Sequence, residues 1–120
     1  MPNSENGSLE FFESFYRSSK FAKQFGPMAD LMKPLLAELE RRGLTASTSH
    51  HFFFIRLSPA YPDGDKGNHI CIWPEHTGKA RIIFIDAESK NPSLDDIRHQ
   101  GELVPYRSAI AYLQPLLDRL

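Results

Sequence analysis

The chain has 120 residues, 14 basic and 15 acidic side chains, a formal net charge of −1 and 41% apolar residues. That is the length of one domain, able to bury roughly two-thirds of the surface its unfolded form exposes, and nothing in the composition suggests disorder. The two signs are spread evenly: six of each in residues 1–45, five of each in 46–90, and three basic against four acidic in 91–120, so the basic stripe that duplex binding relies on is missing and a nucleic-acid partner is disfavoured.

Residues 1–7 are polar and are expected to be disordered, with a single α+β domain over 8–120. The opening MPNSENGSLE lacks the basic and apolar regions of a secretory leader, and no apolar run has the length of a membrane span. The expected location is therefore cytoplasmic, away from membranes. Ser8 can cap a helix starting at Leu9, with Glu10 in its first turn, where the helix dipole favours a negative charge. Phe11, Phe15, Ala22 and Phe25 recur at helical spacing beside Phe12 and Tyr16, so an aromatic amphipathic helix is expected to end near Gln24. Gly26-Pro27 predicts a break and a fresh start. Met28, Leu31, Leu35 and Leu39, widened by Met32 and Leu36, form the stripe of a second helix. Pro34 predicts a kink in it, and Arg41-Arg42-Gly43 its end.

SHHFFFIRLS has no helical period and is rich in aromatic and branched residues, which predicts one strand over 48–57. NHICIWP and ARIIFIDA predict two more strands, paired as a hairpin. Ser93, followed by Asp95 and Asp96, predicts the cap of a last helical segment that Pro105 interrupts. Ile110, Leu113, Leu116, Leu117 and Leu120 are its final apolar stripe, with Pro115 inside it. The expected fold class is α+β, in the order ααβββα, with a three-stranded antiparallel sheet and N- and C-terminal helices packed on it.

Four constellations bear on function. The first is the loop YPDGDKGN with the later FIDAESK. Pro62-Asp63 or Asp65, together with Glu88 and Lys90, resembles the PD-(D/E)xK nuclease signature. The resemblance implies two acids on a divalent cation and a lysine assisting the attacking water, as hard cations such as Mg²⁺ prefer carboxylate oxygen. It covers about four residues. Ser89 stands where that family has a hydrophobic residue, and no further strand follows the helix. Asp63, Asp65 and Gly67 also match part of a calcium loop, without its remaining acidic ligands. Asp, Gly and Pro are turn residues in their own right, and a plain turn is the favoured reading here.

The second constellation is His50, His51, His69, Cys71 and His76, which lacks the short ligand spacings of a zinc site and reads as imidazoles and a buried thiol on a sheet. The third would be a catalytic nucleophile or a phosphate loop. No nucleophile elbow or Walker spacing is present, and the sequence calls for no cofactor and no metal.

The fourth is apolar. Alternation along the three strands places Phe52, Phe54, Cys71, Trp73, Ile82 and Phe84 on one sheet face, edged by Arg56 and His69. Phe53, Ile55, Leu57, Ile70, Ile72, Ile83 and Ile85 fall on the other. If helices cover only one of these faces, the other is a surface for a protein partner or a second copy. The expectation is accordingly a non-catalytic interaction module (a regulator, adaptor or inhibitor) that binds through Phe52, Phe54, Arg56, His69, Trp73 and Phe84. The Mg²⁺-dependent phosphodiesterase is the alternative. Stacking of single-stranded bases on the aromatic face comes third, because the glycine-aromatic pattern of RNA-recognition domains is missing.

Overall fold

The computed structural model describes residues 9–18, 22–49, 51–57, 68–75, 78–86 and 99–120. Among the described residues, three helices, α1 (Leu9–Arg17), α2 (Ala22–Arg42) and α3 (Tyr106–Leu117), accompany five strands. These are β1 (Thr45–Ser49), β2 (Phe52–Arg56), β3 (His69–Pro74), β4 (Lys79–Ile85) and β5 (Glu102–Pro105). All neighbours are antiparallel and the sheet is a plain meander, β1-β2-β3-β4-β5. The class is α+β, as expected, but among the described residues the order is ααβββββα and the sheet has five strands where three were expected.

The expected single strand over 48–57 is two strands. β1 and β2 pair to their ends, with Ser49 opposite Phe52, so only residues 50 and 51 separate them. His51 takes a left-handed backbone, φ 69°, a region that His tolerates better than most side chains. Tertiary contacts hold it there. Its ring stacks on Phe25 with centroids 4.5 Å apart and planes 5° off parallel, and the Tyr16 hydroxyl donates to its carbonyl at 3.1 Å.

β5 was also not foreseen. Residues 102–105 were expected within the helical segment that starts at Ser93, yet they pair with β4 through Ile82↔Glu102 to Lys79↔Pro105. Pro105 is the last strand residue and begins the turn into α3, so it separates two elements, where a break within one helix was expected. The edge position tolerates its missing amide. Gly101 admits β5 to the sheet: its φ is +83°, and a Cβ there would lie 2.5 Å from the carbonyl oxygen of Ile82.

The helices differ from expectation in their joins. α1 stops at Arg17, well before Gln24, and α2 runs unbroken through Gly26, Pro27 and Pro34. Pro27 is the sixth residue of α2 and removes one intrahelical hydrogen bond, a cost offset by the burial of its neighbours Phe25, Met28 and Ala29. Pro34 is mid-helix on the exposed side and is carried by its neighbours: Leu31, Met32, Leu35 and Leu39 are all buried. On α1 the buried residues are Phe12 and Tyr16; Phe11 is 39% exposed and Phe15 half-buried. The burial stripe is thus one residue over from the Phe11-Phe15 stripe expected.

The main core lies between one sheet face and the helices. Phe53, Ile55, Ile70, Ile72, Ala80, Ile82 and Val104 meet Phe12, Tyr16, Met28, Met32, Leu35, Leu39, Ala109 and Leu113. A polar clamp ties the ends of α2 and α3. Buried Glu38 accepts from Arg41 and, at 2.9 Å, from Arg42, and Arg42 also reaches Gln114 and Asp118. The expected disordered stretch 1–7, the Ser8 cap and the Ser93 cap lie outside the described residues.

Candidate functional site

The β3–β4 register decides what each face carries. Cys71 pairs with Ile83, Ile72 with Ile82, Ile70 with Phe84 and His69 with Ile85. Directly paired residues point to the same face. Ile82 and Phe84 therefore join Ile70 and Ile72 under the helices, while Ile83 and Ile85 join Cys71 on the face the described helices leave. This reverses the expected placement of those four residues. Alternation within β4 was read correctly, but its phase relative to β3 depends on the turn, and a shift of one residue exchanges the faces. Phe84 accordingly drops out of the expected binding set. Its ring packs on the main core and carries the Arg119 guanidinium at 3.9 Å from its centroid, a cation–π contact that pins the C-terminal end.

The other five expected residues do share the second face. Phe54 pairs with Cys71 and Arg56 with His69, Phe52 lies 4.5 Å from Trp73 between ring centroids, and Arg56 lies 5.6 Å from the Phe54 centroid. Phe52 and Phe54 form a second apolar cluster with Cys71 and Ile85, against which Trp73 and Ile83 pack; Trp73 also packs on the main core, its ring 6.1 Å from that of Phe25 on α2. The expectation of an open patch fails for most of it. Phe52 and Cys71 have no exposed surface, and Phe54, Ile85, Arg56 and His69 are all buried. The layer is a second small core at its β2 end.

Accessible surface lies towards β4 and β5. Trp73 pairs with Arg81, and Arg81 with Leu103, so three strands present these side chains in a row, with Ile83 next to Arg81 on the same face. Trp73, Arg81 and Ile83 are half-buried, and Leu103 is 43% exposed. Arg81 donates to the Gly101 carbonyl at 3.5 Å and lies 3.8 Å from Glu75, so its guanidinium is anchored from below. Arg81 was missed in the sequence because its place beside Trp73 follows from the β3–β4 register, and Leu103 because it depends on β5. A four-residue strand with a terminal proline gives no alternation signal long enough to read.

Chemistry is sparse among the described residues. No group of three or more His, Cys, Asp or Glu side chains could hold a metal ion. Burial pushes the Cys71 thiol far above its usual range, with Arg56 as a lesser opposing influence, which leaves little thiolate to act as nucleophile or ligand. His69 and Cys71 do share a face, while His51 is taken up by its stack on Phe25. His50 and His76 lie outside the described residues, and so do Asp63, Asp65, Gly67, Glu88, Ser89 and Lys90. For the acid set, the described strands give only the frame: His69 opposite Ile85 brings the start of β3 beside the end of β4.

These features define an α+β meander with helices on one face and an aromatic layer on the other. Comparison with protein-family models, with curated proteins and with solved structures gives no match for this chain.

Proposed function

We propose that the protein is a non-catalytic interaction module that binds a protein partner through the outer sheet face, with the contact centred on Trp73, Arg81, Ile83 and Leu103. The observation that carries this reading is the row Trp73–Arg81–Leu103 across β3, β4 and β5. Partly exposed Trp and Arg on a rigid sheet, backed by a packed aromatic layer, have the composition of interface anchors. Phe52, Phe54, Arg56 and His69 then act behind the surface, holding Trp73 in place. Role names such as regulator, adaptor or inhibitor belong to this proposal as its range. The test is affinity capture from the native cell extract, quantified against Trp73→Ala and Leu103→Asp baits. A partner should be retained by the unmodified chain and lost by both variants. Equal recovery on all three baits would remove this surface from the account.

A second reading keeps the Mg²⁺-dependent phosphodiesterase with Asp63 or Asp65, Glu88 and Lys90. The register His69↔Ile85 favours it, because both acidic segments leave the sheet from the same end. Titration calorimetry with Mn²⁺ and Mg²⁺ tests it: binding that Glu88→Ala abolishes would support an ion site, and no heat at millimolar ion would end it. Base stacking is weaker, since Phe52 and Phe54 are buried and Trp73 alone among the face's described aromatic residues keeps some exposure.

A further inference from the structure

The two edges of the sheet are built differently. β5 has a carboxylate at one end, Glu102, and Pro105 at the other, and both discourage a further strand. β1, at the opposite edge, is Thr45-Ala46-Ser47-Thr48-Ser49. It has no charge and no proline, and it pairs residue for residue with β2 without a bulge. Among the described residues it has a strand on one side only. Alternate backbone amides and carbonyls of such a strand point away from the sheet, and natural edges normally protect them with charge, proline or a bulge.

We infer that β1 is a pairing edge and that its occupant is β1 of a second copy, joined antiparallel about a two-fold axis to make one ten-stranded sheet. The inference concerns the edge remote from the Trp73–Leu103 row and does not depend on it. Self-pairing is favoured by the residue pattern. An antiparallel two-fold pairing centred on Ser47 is the register that uses all five positions. It sets Ser47 against Ser47, Ala46 against Thr48, and Thr45 against position 49. No like charges meet, and small side chains let the strands approach. Ser47 and Thr48 are half-buried already, and Ala46, on the helix side, is buried, so the added strand would extend the existing layers without displacing a large side chain. A foreign extended segment would also fit the backbone; the test below distinguishes it.

Sedimentation velocity on the unmodified chain at about 100 μM, a concentration that populates even a weak dimer, should give twice the 13.7 kDa chain mass. Ser47→Lys and Ser47→Glu each place two like charges opposite one another across the axis. Each alone should weaken the dimer by about tenfold or more, with unchanged circular dichroism as the check on folding. An equimolar mixture of the two should return to dimer mass, because opposite charges then meet. An unmodified chain that stays monomeric would overturn the inference, as would a dimer that neither substitution weakens or a mixture that fails to reassociate. The first of these outcomes would leave β1 open to a foreign segment instead.

Discussion

At the scale of single residues, four positions give sharp expectations. Gly101 sits at φ +83° with the Ile82 carbonyl where its Cβ would be. Gly101→Ala should cost about 2–3 kcal/mol of stability, from backbone strain added to that clash, measured by urea denaturation. Cys71 is fully buried and its thiol is held protonated; it should stay unlabelled by a thiol reagent at pH 8 in the native state and react once the chain is unfolded. Burial also raises the hydroxyl pKa of Tyr16 and of Tyr106. In the unfolded chain a tyrosine loses its proton near pH 10, while these two remain protonated in the folded state. The unfolded state then holds fewer protons, so stability is full below about pH 10 and falls as pH rises beyond it. Chemical denaturation at pH 9 and pH 11 should show that loss, and Tyr16→Phe should reduce its slope.

At the scale of elements, the helices and the central hairpin were legible in the sequence, and the joins were not. Met28, Leu31, Met32, Leu35 and Leu39 recur at a period only a helix satisfies, and α2 buries all five. The two prolines misled because local propensity is a weak prior against packing along a helix of this length. Pro34 therefore stands as a local cost: Pro34→Ala should stabilise the fold by about 1–3 kcal/mol, since it restores a backbone amide on the exposed side of an intact helix. The β1–β2 join escaped notice because no Gly or Asn marks the left-handed position of His51, which Tyr16 on α1 and Phe25 on α2 enforce from a distance. β5 escaped because a short edge strand is defined by its partner, with little of its own in sequence. The same dependence explains the candidate site. Trp73 was readable as an anchor, but its neighbours Arg81 and Leu103 come from register, which no strand carries alone. Phe53→Ala should cost about 3–5 kcal/mol, as removal of a large ring from the main core. Leu103→Asn should change stability by less than about 0.5 kcal/mol, because that side chain is a surface one.

At the scale of the whole molecule, the sheet is a partition. Among the described residues, α1, α2 and α3 cover one face, and the C-terminal ends of α2 and α3 are tied by the Glu38–Arg42–Asp118 clamp. The other carries a small aromatic core that passes from buried Phe52 to half-exposed Trp73 and on to exposed Leu103. That gradient is what turns an aromatic strand pattern into a usable surface: the buried part gives rigidity, and the β4–β5 part gives contact. Rigid, preformed anchors lose little entropy on binding, which suits a module that works by recognition. The account predicts separable surfaces: substitutions on β1 act on self-association, and substitutions in the Trp73–Leu103 row act on the captured partner. The most direct measurement is the dissociation constant of that partner for the unmodified chain, Trp73→Ala, Leu103→Asp and the remote exposed control Phe11→Ala. The account predicts that the first two substitutions weaken binding by about tenfold or more while the control leaves it unchanged. Equal affinity across all four proteins would contradict it.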